Sequence, residues 1–182
     1  MMKTLKTYNQ LFENRNVCNS DNIFKSENQN VVWRTLDAHL KKLNTFTKNK
    51  LDRDDNIIYC LKQYLSRGYD INYYNFYYPF LIMFANNYEV TKFLIDNGAY
   101  IDMKTKNGFT ALMNAFLKMN YDVFELLIEN DADLNMKTSD GFDAFDYIPN
   151  RDREEIIKYI ENKYPEKYQK YLRNKKAKGF NL

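Results

Sequence analysis

The sequence is short of the residues that most site chemistry requires. Among 182 residues there are two cysteines, one histidine, one tryptophan, three prolines and five glycines. Cys18 and Cys60 lie far apart and in no motif, so no disulfide scaffold is expected and a reducing cytosol is the natural setting. Cys18, His39 and Cys60 lack zinc-ligand spacing. His39 sits beside Leu36, Leu40 and Leu43 in an amphipathic pattern, which favours a structural or solvated histidine over a general base. The glycines are also accounted for. Gly68 and Gly98 read as helix stops, Gly108 and Gly141 as turn residues, and Gly179 falls near the end, leaving none for a phosphate-cradling loop. The run Asp52-Arg53-Asp54-Asp55 lacks the spaced oxygen ligands of a calcium loop and reads as an N-cap and solvated loop before a helix at Asn56. No segment approaches the roughly 18 apolar residues of a membrane span. Met1 to Lys6 is not followed by the apolar stretch of a secretory leader, so a cytoplasmic protein is expected. Taken together, no catalytic residue, cofactor or metal is expected, and the chain does not read as an enzyme.

What is present is core material. Hydrophobic residues make up 45%, enough to fill one domain, and 16 Tyr and 13 Phe supply most of the aromatic content. The net charge of +3 is uneven. Lys163 to Leu182 holds seven basic residues and one acidic one, so the rest of the chain is mildly acidic.

A repeat organises the middle. Asp102-Met103-Lys104-Thr105-Lys106-Asn107-Gly108-Phe109 returns 33 residues later (Gly108 to Gly141) as Asn135-Met136-Lys137-Thr138-Ser139-Asp140-Gly141-Phe142. Val90, Phe93, Leu94, Ile95, Asn97 and Ala99 fall at the same step on Val123, Leu126, Leu127, Ile128, Asn130 and Ala132. Upstream, Leu65 to Asn72 resembles Ile95 to Asp102 with a shorter connection after it. Val31 to Leu43 and Asn56 to Ser66 read as two helices of a first, degenerate unit. Downstream, Ile156, Ile157, Tyr159 and Ile160 continue the pattern of Val123, Phe124, Leu126 and Leu127.

Each unit parses as turn, helix, helix. Asn107-Gly108 and Asp140-Gly141 are turn dipeptides whose glycines should take positive φ. Thr110 and Asp143 are suited to N-cap the helices that follow. Leu112, Ala115 and Phe116 belong to the first helix. Val123, Leu126 and Leu127 form one stripe of a second helix near Tyr121 to Glu129, which Asp131 should stop, as Gly98 stops its predecessor.

These residues resemble the ankyrin-repeat family. Gly108-Phe109-Thr110-Ala111-Leu112-Met113-Asn114-Ala115-Phe116 echoes the family's Gly-x-Thr-Pro-Leu-His-x-Ala-Ala, and Asn97 to Asp102 echoes x-Gly-Ala-Asp-Val-Asn. Ala111, Met113 and Asp131 depart from the family's Pro, His and Gly. Pro79 aligns with the family's Pro on a one-residue shift against the phenylalanine step. The resemblance runs from about Val31 to Lys163 and is clearest over Leu65 to Phe142. It implies an all-α solenoid of about four helix-turn-helix units with degenerate capping units and a short basic C-terminal helix. The expected organisation is an N-terminal extension at 1–30, repeats at 31–163 and a basic aromatic tail at 164–182.

The resemblance also implies a protein partner, held in the concave groove and by the finger loops, with the chain a monomer or part of that complex. An inhibitor or immunity-type factor is one form of this. Tyr73-Tyr74-Asn75-Phe76-Tyr77-Tyr78 would be a shortened finger, with Tyr73, Tyr74, Phe76 and Tyr77 as either interface anchors or packing for the first unit. Phe76, Phe109 and Phe142 would form a column along the repeats, at least partly buried. Lys104, Lys106 and Lys137 would stand at finger tips, solvated or steering an acidic partner. Phe116 and Lys118 on the inner helix complete the candidate set. Tyr164, Tyr168 and Tyr171 would share one face of the tail helix and cap the last repeat. The alternative function is nucleic-acid association through that basic aromatic tail.

Overall fold

The computed structural model describes residues 28–46, 50–73 and 79–177. The chain divides into two compact units, Met1–Asn75 and Phe76–Leu182. No strand occurs among the described residues; an isolated antiparallel bridge joins Lys104 to Thr110.

The first unit contains helix α1, Gln29–Phe46, and helix α2, Lys50–Ser66. Val32, Trp33, Leu36 and Leu40 of α1 and Ile57, Cys60, Leu61 and Tyr64 of α2 are buried. Both sets follow the three-to-four-residue spacing of one helical face. Tyr64 stacks on Tyr69 at 5.0 Å and donates its hydroxyl to the Asp70 carbonyl at 3.2 Å, which folds the chain back after the helix. Two expectations are corrected here. The Asp52 to Asp55 run lies inside α2, not in a loop before it, because carboxylates are favoured in the first turns of a helix. Cys60 is fully buried and disulfide-bonded, where no disulfide was expected.

The second unit contains α3, Phe80–Phe84; α4, Tyr88–Asp96; α5, Ala111–Leu117; α6, Tyr121–Glu129; a 3₁₀ turn, Ala144–Tyr147; α7, Arg153–Lys163; and α8, Pro165–Ala177. Its helices start where the sequence supplies a side-chain acceptor for the free N–H groups. Asn87 accepts from Val90 N, Asn120 from Val123 N and Thr110 from Met113 N. Asp143 and Asp146 form a reciprocal capping box on the 3₁₀ turn. Pro165 opens α8, where a missing N–H costs nothing.

The second helices of adjacent repeats start 33 residues apart, at Tyr88 and Tyr121, whereas the first helices start only 31 apart, at Phe80 and Ala111. Thus α3 is the shorter, at five residues against seven. Pro79 occupies the N-cap position equivalent to Thr110, which fixes the register of this unit.

Packing repeats with the chain. Leu81 and Phe84, then Leu112 and Phe116, then Phe145 are buried along successive first helices. Val90 and Leu94, then Val123 and Leu127, then Ile156 and Ile160 are buried along the second. The Phe116 ring meets Phe124 of its own repeat at 5.0 Å and Phe145 of the next at 5.8 Å. Each repeat therefore completes its neighbour's core.

Candidate partner-binding surface

The finger ahead of α5 is a closed hydrogen-bonded turn. Thr105 N donates to Phe109 O at 2.9 Å, Gly108 N to Thr105 O at 2.9 Å, and Phe109 N to Thr105 Oγ1 at 3.1 Å. The next finger repeats the set with Thr138, Gly141 and Phe142 at 2.9, 3.0 and 3.2 Å. Gly108 and Gly141 have φ of 81° and 86°, the positive values expected of them. Adjacent fingers are tied together: Ser139 N donates to Asn107 O at 2.9 Å, and Asp133 N to Asp102 Oδ1 at 3.0 Å. Burial pushes the Asp102 carboxyl above its usual range despite that hydrogen bond. Two asparagines link repeats behind the fingers, Asn114 Nδ2 to Ile82 O at 2.8 Å and Asn120 Nδ2 to Asn86 O at 2.9 Å.

On this frame Lys104 and Lys106 are exposed, Phe109 is half-buried and Phe142 is 51% exposed. The two phenylalanines meet on a third ring that the sequence did not single out. Tyr147 packs edge-on against Phe109 at 5.0 Å and near Phe142 at 6.5 Å. The repeat step offered the signal, since Tyr147 falls on Asn114, a residue of the first helix that reaches the neighbouring repeat. Tyr100, 67% exposed, was also missed. Tyr88 and Tyr121, both exposed, occupy the same first position of α4 and α6.

Phe116 is not on this surface. It is fully buried between α6 and the 3₁₀ turn, so its assignment as a partner contact is corrected to core. Lys118 is exposed but caps the end of α5 away from the fingers, and is not gathered with them. Tyr73, half-buried, lies in the first unit, its N–H donating to Asp70 O at 3.1 Å. Tyr74, Phe76 and Tyr77 lie outside the described residues.

The C-terminal helix α8 packs against the last repeat. Tyr171 is buried against Phe145 at 4.5 Å and donates to Asp143 Oδ2 at 3.1 Å. Lys167 pairs with Asp131 at 2.8 Å and also donates to the Ile128 carbonyl. Tyr164 donates to Glu129 Oε1 at 3.0 Å, and Lys163 at the end of α7 pairs with Glu125 at 2.7 Å. Among the described residues no group of histidine, cysteine and carboxylate side chains is arranged to hold a metal. No helix among them is long and apolar enough to cross a membrane.

Repeated capped helix pairs joined by finger turns define a helical repeat protein built around interaction surfaces. Residues 53–138 match the family model for ankyrin repeats (3 copies), and this stretch of the chain is similar to ankyrin repeats. No curated protein matches the sequence. Among solved structures, the ankyrin repeat domain of Bcl-3, a member of the IkappaB protein family, is similar with a TM-score of 0.49 and 19% identity. That match covers 58% of this chain and 50% of the other, so this chain spans about half the length of the structure it matches. Ankyrin repeats are generally protein–protein interaction modules on a typically non-catalytic scaffold.

Proposed function

We propose that this chain is a non-catalytic module that binds a protein partner through its finger loops and the groove beside them. The observation that carries the reading is the Phe109–Tyr147–Phe142 cluster. It sits on hydrogen-bonded turns, yet half of the Phe142 surface stays open to solvent. Aromatic side chains on a rigid frame lose little entropy on binding and serve as anchors. Exposed Lys104 and Lys106 on the same finger supply steering charge for an acidic partner. Inhibition of the partner, as in an immunity-type factor, is the finer form of the proposal. Three of the basic side chains from Lys163 onward, Lys163, Lys167 and Lys175, face carboxylates of the body at 2.7, 2.8 and 3.6 Å, which favours this reading over nucleic-acid association through the tail.

The test is affinity capture from the native cell with the wild type and with Phe142→Ala combined with Lys106→Glu, folding being checked by circular dichroism. A captured protein that is lost with the folded double variant supports the proposal. Undiminished capture by that variant sinks the finger surface, and recovery of nucleic acid as the principal catch supports the tail instead.

A further inference from the structure

Asp143 stands where three elements meet. It follows Phe142 of the finger in the chain, its Oδ1 accepts the Phe145 N–H at 3.0 Å, and its Oδ2 accepts the Tyr171 hydroxyl of α8 at 3.1 Å. Lys175 Nζ of α8 lies 3.6 Å from the same Oδ2 and donates to Tyr171 Oη at 2.7 Å. The Asp143 side chain is only 3% exposed. A carboxylate withdrawn from water to that degree needs several donors and a counter-charge. The 3₁₀ turn supplies the N–H of Phe145 and, in the capping box, that of Asp146; α8 supplies the hydroxyl and the ammonium. Capping of the turn and docking of α8 therefore share one buried charge that neither satisfies alone. The turn's inner ring, Phe145, rests on Tyr171 at 4.5 Å, and its last ring, Tyr147, holds Phe109 and Phe142.

We propose that α8 is a clasp that sets the order of the finger surface: Tyr171 and Lys175 seat on Asp143, Asp143 holds the Ala144–Tyr147 turn, and the turn holds Tyr147 against Phe109 and Phe142. The regulatory meaning rests on the fingers being the partner surface; the physical coupling does not. Because linkage is reciprocal, a partner that fixes the finger rings tightens α8, and anything that draws α8 away loosens the rings. The coupling runs through a contiguous set of packed and hydrogen-bonded groups.

Amide hydrogen exchange on the full chain tests this without any partner. Tyr171→Phe removes one hydroxyl and keeps the ring against Phe145. The amides of Asp143 and Phe145 in the turn, and of Thr138, which donates to Phe142 O at 2.9 Å in the finger, are expected to exchange about tenfold faster. Tyr164→Phe removes a hydroxyl–carboxylate bond of 3.0 Å at the start of α8 and is expected to leave those three amides unchanged. Acceleration confined to α8, or equal acceleration by Tyr164→Phe, overturns the clasp. Lys175→Gln keeps the buried ring and gives the same test should Tyr171→Phe lose its fold; unchanged turn and finger amides in that variant overturn the proposal equally. A clasp that passes this test while capture by the fingers fails would leave the coupling standing and remove only its use.

Discussion

Gly108 and Gly141 occupy the same place in consecutive fingers, yet their surroundings differ. A Cβ on Gly141 would meet nothing within 4 Å, whereas one on Gly108 would lie 2.7 Å from Lys137 O and 2.8 Å from Thr138 Cα. Both residues have positive φ, so any side chain costs about 1–2 kcal/mol at either position. Only Gly108 must also let the next finger cross over it. Gly141→Ala is expected to cost about 1 kcal/mol, and Gly108→Ala at least about 1 kcal/mol more from overpacking, as measured by chemical denaturation. Equal losses would mean that the fingers separate more readily than their contact implies. The dipeptides made the turn legible in sequence; the crossing was not, because only the neighbouring repeat's backbone creates it. Met119 is the converse case. It has φ of 55°, set by Met119 N to Phe116 O and Asn120 N to Ala115 O at 3.0 Å each, a helix-closing pattern that favours glycine. Nothing in a methionine announces this. Met119→Gly is expected to raise stability by up to about 1 kcal/mol, because the relieved strain outweighs the added freedom of the unfolded chain. A lower denaturation midpoint would overturn that balance.

At the scale of elements, the second helices were the easiest to read and the first helices the hardest. The spacing of Val123 and Leu127, ended by Asp131, marks α6, whose buried face is completed by Phe124 and Ile128 while Leu126 is half-buried. Leu127, fully buried, should lose about 2–5 kcal/mol on truncation to alanine, measured by the denaturant midpoint at constant slope. By contrast, α3 has only five residues and no side-chain N-cap, so its limits emerged from packing against α5 and not from local signals. The tail helix α8 was legible as an aromatic stripe, but its seat was not. Three tyrosines at its seat, Tyr164 just before the helix and Tyr168 and Tyr171 within it, carry a pH dependence of definite sign. Burial, with the neighbouring Glu129, raises the Tyr164 phenol to about 12. Burial raises Tyr168 too, and burial with the Asp143 carboxylate raises Tyr171 well above its usual value. In the unfolded chain these phenols lose protons near pH 10. The folded state holds its protons longer, so the stabilisation is complete below about pH 10 and is lost as pH climbs through the folded values. The melting temperature is expected to stay level from pH 8 to 10 and fall steeply by pH 11.5, with a shallower fall in Tyr171→Phe. An identical alkaline slope in that variant would show that Tyr171 is not the group responsible.

For the molecule as a whole, charge distribution separates the two functional readings. The sequence presents a mildly acidic body and a strongly basic end, a division that invites a nucleic-acid role. Folding closes part of that division. Lys163 goes to Glu125, Lys167 to Asp131 and Lys175 to Asp143, so carboxylates from the α6 repeat and the last finger absorb cations that are distant in sequence. Linear charge counting cannot reveal such pairing, because it depends on the direction in which α8 returns over the repeats. The outward face of α8 retains exposed Lys170, Arg173 and Lys176. Three phosphate contacts would give a salt slope of only about −3 and leave any nucleic-acid affinity at or below the weak non-specific range of about 10⁻⁴–10⁻⁶ M at physiological salt. Paired surface ions contribute little to stability individually, so replacing the outward residues should not disturb the fold. Lys170→Gln, Arg173→Gln and Lys176→Gln together are therefore expected to leave the melting temperature and the capture of a protein partner within experimental error. Phe142→Ala with Lys106→Glu is expected to remove an anchor worth about 2 kcal/mol, roughly thirtyfold in affinity, together with part of the steering charge. The decisive comparison is both variants against the same captured partner, at two salt concentrations. If the α8 variant loses the partner and the finger variant keeps it, the functional surface is the basic face of the tail, and the aromatic cluster around Tyr147 is part of the fold alone.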